Sequence, residues 1–313
     1  MDGYQVEIIS PQIKDEISQK LVGNVRYERK ANIHGACVKL LTDNPNFKEE
    51  WEDNFKFMNE DIRPHAKIFA SEDGGELKVQ YEPLSKTCII KNCDYYGWIK
   101  SIALAAISDF FEEYHSIHRR YSVHGSAVDC SGRSLAIIGP PGTGKTTLTY
   151  GLLQDEKYNY ISDDWFFVRL FENGVMLYSS EKNSYIRDDI AQVWEEYSTL
   201  LNQVKLDSQK RGIADVNTLF HDRVRESSAF ISVVLLERNP SNPPFRKVTR
   251  EEGVDFMVQN DFCNPHQLIR DERKFNLRKD FFNELFLKGD VYILNTKEKP
   301  TESLSRIKNL LKG

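Results

Sequence analysis

The stretch Gly139-Pro140-Pro141-Gly142-Thr143-Gly144-Lys145-Thr146-Thr147 has the residue types and spacing to do chemistry. Glycines let backbone N–H groups converge on an anion without a Cβ in the way, a lysine brings a mobile cation, and a threonine hydroxyl can ligate a hard divalent metal ion. Gly139, Gly144, Lys145 and Thr146 fill every fixed position of the phosphate-binding P-loop, and Gly142, Thr143 and Thr147 complete the candidate cradle. The pattern implies a bound nucleoside triphosphate, with ATP the first choice, and Mg²⁺ held through Thr146. Such a site also needs a carboxylate near the metal and, for transfer to a hydroxyl, a base. Asp163 and Asp164 are the best candidates, because they close the apolar run "YNYIS". Asp163 lies 18 residues after Lys145, room for one helix, a turn and one strand.

The elements around these residues follow from pattern. Leu135–Ile138 reads as a short buried strand that glycine and proline stop, and Leu148, Leu152 and Leu153 recur at helical spacing after Lys145. "YSVHGSAVDCSGRSLAIIG" predicts two strands joined at Cys130-Ser131-Gly132, and "YISDDWFFVRLFENGVMLYSS" a second pair turning at Glu172-Asn173-Gly174. Ile99, Ile102, Ala103, Ala106, Ile107 and Phe110 form one face of a helix. "SYIRDDIAQVWEEYSTLLNQV" is expected to be helical, and "AFISVVLLERN" to be a buried strand. "ERNPSNPPFRKV" reads as a proline-rich linker into a mostly helical stretch, before a last strand "DVYILNT" and a terminal helix. Residues 1–93 carry short β-prone runs separated by turn signals. The expectation is an α/β protein with a strand-rich α+β N-terminal region, 1–93, and a P-loop domain, 94–313.

Composition narrows the partners. The chain of 313 residues has a formal net charge of −5, which offers no basic footprint and argues against nucleic acid. Five cysteines with no C-x-x-C pair suit reduced thiols better than a disulfide framework or a zinc site. The start "MDGYQVEIIS" lacks a basic region followed by an apolar run, and the most apolar helical window, 99–111, is too short to span a bilayer. A cytoplasmic protein without membrane association is expected. ATP versus GTP preference and oligomeric state, a homo-oligomer included, leave no residue-level signal.

Two families share parts of this pattern. "GPPGTGKTT" is a P-loop spelling used by AAA+ ATPases, but that fold needs an Asp-Glu pair on a later strand, and here "VVLLERN" offers Glu237 followed by Arg238. The segment from Tyr121 to Val168 instead resembles the core of the HPr kinase/phosphorylase family, whose fold is related to that of phosphoenolpyruvate carboxykinases. The resemblance rests on His124-Gly125, the loop Gly139–Thr146 and Asp163-Asp164, in that order along the chain. It implies that Lys145 grips the β- and γ-phosphates, that Thr146 and Asp164 support Mg²⁺, that Asp163 is the acid/base, and that His124 lies beside the phosphates. Where the family has Glu-x-Arg-Gly, this chain has "QKRG", Gln209–Gly212, and glutamine cannot supply the metal-binding charge. Glu181 is the candidate replacement, a solvated surface carboxylate being the alternative. Arg211, Arg223 and Arg225 are candidates to stabilise the transferring phosphoryl, with Arg187 a further one. The implied activity is transfer of the γ-phosphoryl of Mg-ATP to a hydroxyl of a protein serine or a small molecule. The rival from another class is a nucleotide-binding regulatory module without turnover.

Overall fold

The computed structural model describes residues 4–187, 189–199, 204–308 and 310–311. The chain is mixed α/β and divides into two compact units, Met1–Tyr114 with His266–Arg270, and His115–Pro265 with Asp271–Gly313.

The first unit contains, in order, β1 Val6–Ile8, α1 Pro11–Val22, β2 Tyr27–Ile33, β3 Ala36–Thr42, α2 Pro45–Asn54 and β4 Lys56–Phe57. β5 Ala66–Ser71, β6 Lys78–Glu82, β7 Thr87–Lys91 and α3 Tyr96–Glu113 follow. The strands form one mixed sheet in the order β1-β6-β7-β5-β3-β2-β4. Ser10 and Asn44 cap α1 and α2 with their side-chain oxygens, each just ahead of a proline that presets the first turn. The expected boundary at residue 93 falls before α3, whereas the compact unit runs on to Tyr114, because α3 packs on β5, β7 and β3.

The second unit begins with α4 His115–His118, β8 Arg120–Cys130, β9 Arg133–Ile138, α5 Lys145–Leu153 and β10 Tyr158–Ser162. β11 Trp165–Phe171, β12 Gly174–Ser179, β13 Asn183–Ile186, α6 Asp189–Val193, β14 Lys205–Leu206 and β15 Gly212–Asp215 come next. The unit ends with α7 Val216–Phe220, β16 Ser227–Glu237, β17 Phe245–Val248, α8 Arg250–Gln259, α9 Glu272–Leu287, β18 Asp290–Asn295 and α10 Pro300–Ile307. The main sheet runs β10-β8-β11-β12-β16-β18-β17, with β9 between β8 and β16. β9, β16 and β18 are parallel, so the loops after Ile138, Glu237 and Asn295 emerge at one end. Ligands of α/β sheets gather at that end. One face of the sheet is covered by α8 and α9 around Phe256, Phe282 and Leu285, and the other by α5, α6, α7 and α10 around Leu148, Trp194 and Leu304.

Two elements differ from expectation. "SYIRDDIAQVWEEYSTLLNQV" is expected to be helical; its start is instead β13, paired with β15, the central strand of a separate sheet β13-β15-β14, and among its described residues only Asp189–Val193 is α-helical. Residues 188 and 200–203 of that stretch lie outside the described residues. The proline-rich linker ends in a strand, β17, because Phe245–Val248 can pair antiparallel with β18.

Candidate active site

The glycine-rich loop joins β9 to α5 as the glycine pattern requires. Gly142 and Gly144 sit at φ +78° and +97°, conformations that a Cβ disfavours. Gly139 is needed for a different reason. A Cβ there would lie 2.7 Å from Thr143 Oγ1 and 2.8–2.9 Å from Cβ and the carbonyl oxygen of Leu236 on the adjacent β16. Gly139→Ala is therefore expected to cost about 1–3 kcal/mol by overpacking and to distort the loop. A thermal melt and a calorimetric ATP titration check this; a variant with unchanged midpoint and affinity would contradict the close approach.

The loop is braced from several sides. The Thr143 hydroxyl donates to the Pro140 carbonyl at 2.8 Å, and Thr296, just past β18, donates to the Thr143 carbonyl at 2.8 Å. Lys145 Nζ donates to the carbonyls of Gly139 and Pro140 at 2.7 and 3.3 Å, so its ammonium lies across the loop. Burial pulls the Lys145 pKa down, while Asp164, Cys263 and Asp163 act in the opposite sense. The Thr147 carbonyl accepts from the Trp194 indole at 2.8 Å, which fixes the first turn of α5 to the segment after α6.

Asp163 and Asp164 form the link between β10 and β11. The Gly125 amide donates to the Asp164 carbonyl at 3.0 Å, and a Cβ on Gly125 would meet the Ile137 carbonyl at 2.8 Å. The glycine after His124 thus lets β8 hold the acidic link and β9 together. Asp163 is buried, and its carboxylate accepts from Ser126 Oγ at 3.0 Å on one oxygen and from Ser184 Oγ at 3.1 Å on the other. The Thr146 hydroxyl lies near enough to act on its pKa in the same sense as the two serines. Burial, and then the neighbouring Asp164 charge, push its pKa up to about 7 against the lowering effect of these hydroxyls. That value is matched to proton transfer at neutral pH.

His124 Nδ1 lies 2.9 Å from the Cys263 carbonyl, which can only accept, so Nδ1 carries a proton and Nε2 faces Asp164 Oδ1 at 3.4 Å. The carbonyl comes from an unusual turn. Asp261, Phe262 and Cys263 are consecutive left-handed residues at φ +50°, +54° and +55°, none of them glycine. Left-handed backbone costs such residues about 1–2 kcal/mol each. Packing of Phe262 against Phe275 and Phe282 helps hold the turn.

The structure therefore brings together the loop, Lys145, Thr146, Asp163, Asp164 and His124. The other candidates stand as follows. Glu181 is half-buried between β12 and β13, near enough to raise the Tyr160 phenol pKa, as Asp163 also does. Arg211 ion-pairs with Asp207 at 2.9 Å and stacks over Tyr185, the residue after Ser184. Arg223 donates to the carbonyls of Leu153, at the far end of α5 and about 12 Å along the helix from Lys145, and of Tyr158 at the start of β10. It braces that end of the helix rather than the loop. Arg225 turns back to the Asp222 and Val224 carbonyls, and Arg187 is exposed at the end of β13. Glu237, the AAA+ alternative, accepts the Asn242 amide through both oxygens at 2.9 and 3.0 Å.

Ser126 and Ser184 were missed in the sequence. Ser126 stands two residues after His124 on a strand expected from its pattern, but a lone serine on a strand carries no signal of its partner. Among the described residues, no helix is long and apolar enough to cross a membrane, and no group of three or more His, Cys, Asp or Glu is placed to hold a metal ion. No family model matches the chain, and no curated protein matches it.

Proposed function

We propose that the chain is an ATP-dependent P-loop phosphotransferase with a core of the HPr kinase/phosphoenolpyruvate carboxykinase type, acting on a hydroxyl acceptor. The observation that carries this reading is the buried Asp163, held by Ser126 and Ser184 and close enough to Thr146 and Lys145 of the glycine-rich loop to interact with both electrostatically. A binding module needs the loop and the lysine but has no use for a proton acceptor at that place.

The residues fit a triphosphate and its metal. Gly142 and Gly144 leave open space beside the backbone, Lys145 supplies charge, and Thr146, Asp164 and Glu181 offer the oxygen ligands that Mg²⁺ prefers, few in number because phosphates would complete its shell. Bound Mg²⁺ would neutralise charge on the β- and γ-phosphate oxygens. Lys145 grips the same oxygens, and the α5 N-terminus adds its partial positive charge. Asp163 takes the proton of the acceptor hydroxyl as the new O–P bond forms, the bond to the β–γ bridging oxygen breaks, and ADP leaves with that electron pair. His124 and Arg211 are the groups assigned to the charge on the transferring phosphoryl.

The test is to incubate purified protein with γ-labelled ATP, Mg²⁺ and a cell extract, then locate the label. Label in a protein band or in a small-molecule fraction supports the reading and names the acceptor class. ATP bound without loss of label from it would leave a nucleotide-binding regulatory module. Lys145→Ala checks the loop independently. Losing a charge-assisted phosphate contact costs about 1.5–3 kcal/mol, roughly a ten- to hundredfold weaker ATP affinity by calorimetry. Unchanged affinity would remove the loop assignment itself.

A further inference from the structure

Asp163 is held by hydroxyls that come from two different sheets. Ser126 lies on β8, where it pairs with Ile137 of the strand that feeds the glycine-rich loop. Ser184 lies on β13, where it pairs with Ala214 in the small three-stranded sheet. Each hydroxyl occupies one carboxylate oxygen, at 3.0 and 3.1 Å. Both serines are buried, at 0% and 2% exposure, so bulk water does not compete for these bonds. Tyr150 on α5 and Tyr160 on β10, both buried, lie close enough to Asp163 for its charge to help raise their phenol pKa values. Buried carboxylates elsewhere in the chain are held in both ways: Asp109 pairs with Lys86, whereas Asp129 is held by the neutral donors Asn159 and Ser228. A cation would fix Asp163 too, but it would also neutralise it. Two neutral donors fix its orientation and leave its charge for chemistry.

We propose that Ser126 and Ser184 are positioning residues for phosphoryl transfer, clamping the Asp163 carboxylate in one orientation beside Thr146 from the main sheet and from the small sheet. The proposal rests on the phosphotransfer reading above. It gives the three-stranded sheet a role in the reaction: β13 carries one clamp, and its partner β15 follows directly after Arg211, so a shift of this sheet displaces both groups at once.

The experiment uses the full chain and measures loss of γ-label from Mg-ATP in the presence of cell extract, to any acceptor or to water, together with ATP affinity by calorimetry. Ser126→Ala and Ser184→Ala are each expected to lower the maximal rate by roughly tenfold or more, because misplacing a catalytic group by about 1 Å costs up to 10²-fold. ATP affinity is expected to stay within about twofold, since neither serine belongs to the glycine-rich loop. Ser184→Thr, which keeps the hydroxyl, should recover most of the rate, a rescue that a purely structural role would not require. Should Ser184→Ala fail to fold, Ser126→Ala and Ser184→Thr carry the same comparison. Alanine variants at wild-type rate, alongside an inactive Asp163→Asn, overturn the clamp and leave the reading standing. Ser184→Thr no better than Ser184→Ala also overturns it. A wild-type chain that removes no label from ATP overturns the reading and the clamp together.

Discussion

Asp163→Asn is expected to separate chemistry from binding: transfer falls by a factor on the order of 10² to 10⁴ while ATP affinity holds or rises slightly. A hydroxyl is a weak nucleophile at neutral pH, and a carboxylate beside the γ-phosphate can take its proton as the new bond forms. Asparagine keeps the size and still accepts a hydroxyl donor, so the contacts of Ser126 and Ser184 with this side chain can largely survive. What it lacks is proton affinity. It also removes one negative charge near the glycine-rich loop, which favours an anionic ligand. Single-turnover transfer and calorimetry on the same preparation check both halves. Near wild-type turnover would move the base to Asp164 or leave a binding module. Asp164→Asn is expected to behave differently, with activity partly restored by added Mg²⁺ if its half-exposed carboxylate supports the metal.

The same variant is expected to stabilise the protein, and by an amount that depends on pH. Burial raises the Asp163 pKa from 3.8 to about 7, so between those values the folded state keeps a proton that the unfolded state has lost. Stability contributed by this group is greatest below pH 4, falls as pH rises toward 7, and is constant above it. The penalty above pH 7 is on the order of 4 kcal/mol. Asparagine does not titrate and escapes it. Asp163→Asn should therefore match the wild type near pH 4 and exceed it most at pH 8, in denaturant melts without nucleotide or Mg²⁺. An equal difference at both pH values would mean that Asp163 is not strained by its burial. The opposed signs of the two effects, slower transfer and a firmer fold, are the signature of a group kept in place for function.

The local devices were legible in the sequence. Strand, glycine loop and helix at Leu135–Leu153 follow from residue types that act on their own backbone, as do the turns at Ser131-Gly132 and Glu172-Asn173. The helix around Ile99–Phe110 and the strand at Ser227–Glu237 follow from apolar spacing, which needs no knowledge of the partner. β13 was missed because its burial comes from pairing with β15, some thirty residues on, and not from a helical face. The left-handed turn at Asp261–Cys263 has no glycine to announce it and persists only where surrounding packing compensates its cost.

The glycine-rich loop, the lysine after it and the acidic pair were readable from residue order alone, because each depends on neighbours within a few residues. Which groups surround Asp163 follows from contacts between distant segments. Ser126 and Ser184 reach it across 37 and 21 residues, and Cys263 reaches His124 across 139. Such contacts also set Arg223 against the far end of α5 and Arg211 over Tyr185, although both arginines read alike in the chain. A hydroxyl or guanidinium has the same local preferences wherever it points. Its partner is chosen by how sheets stack and which strands pair, and those depend on contacts summed over the whole unit.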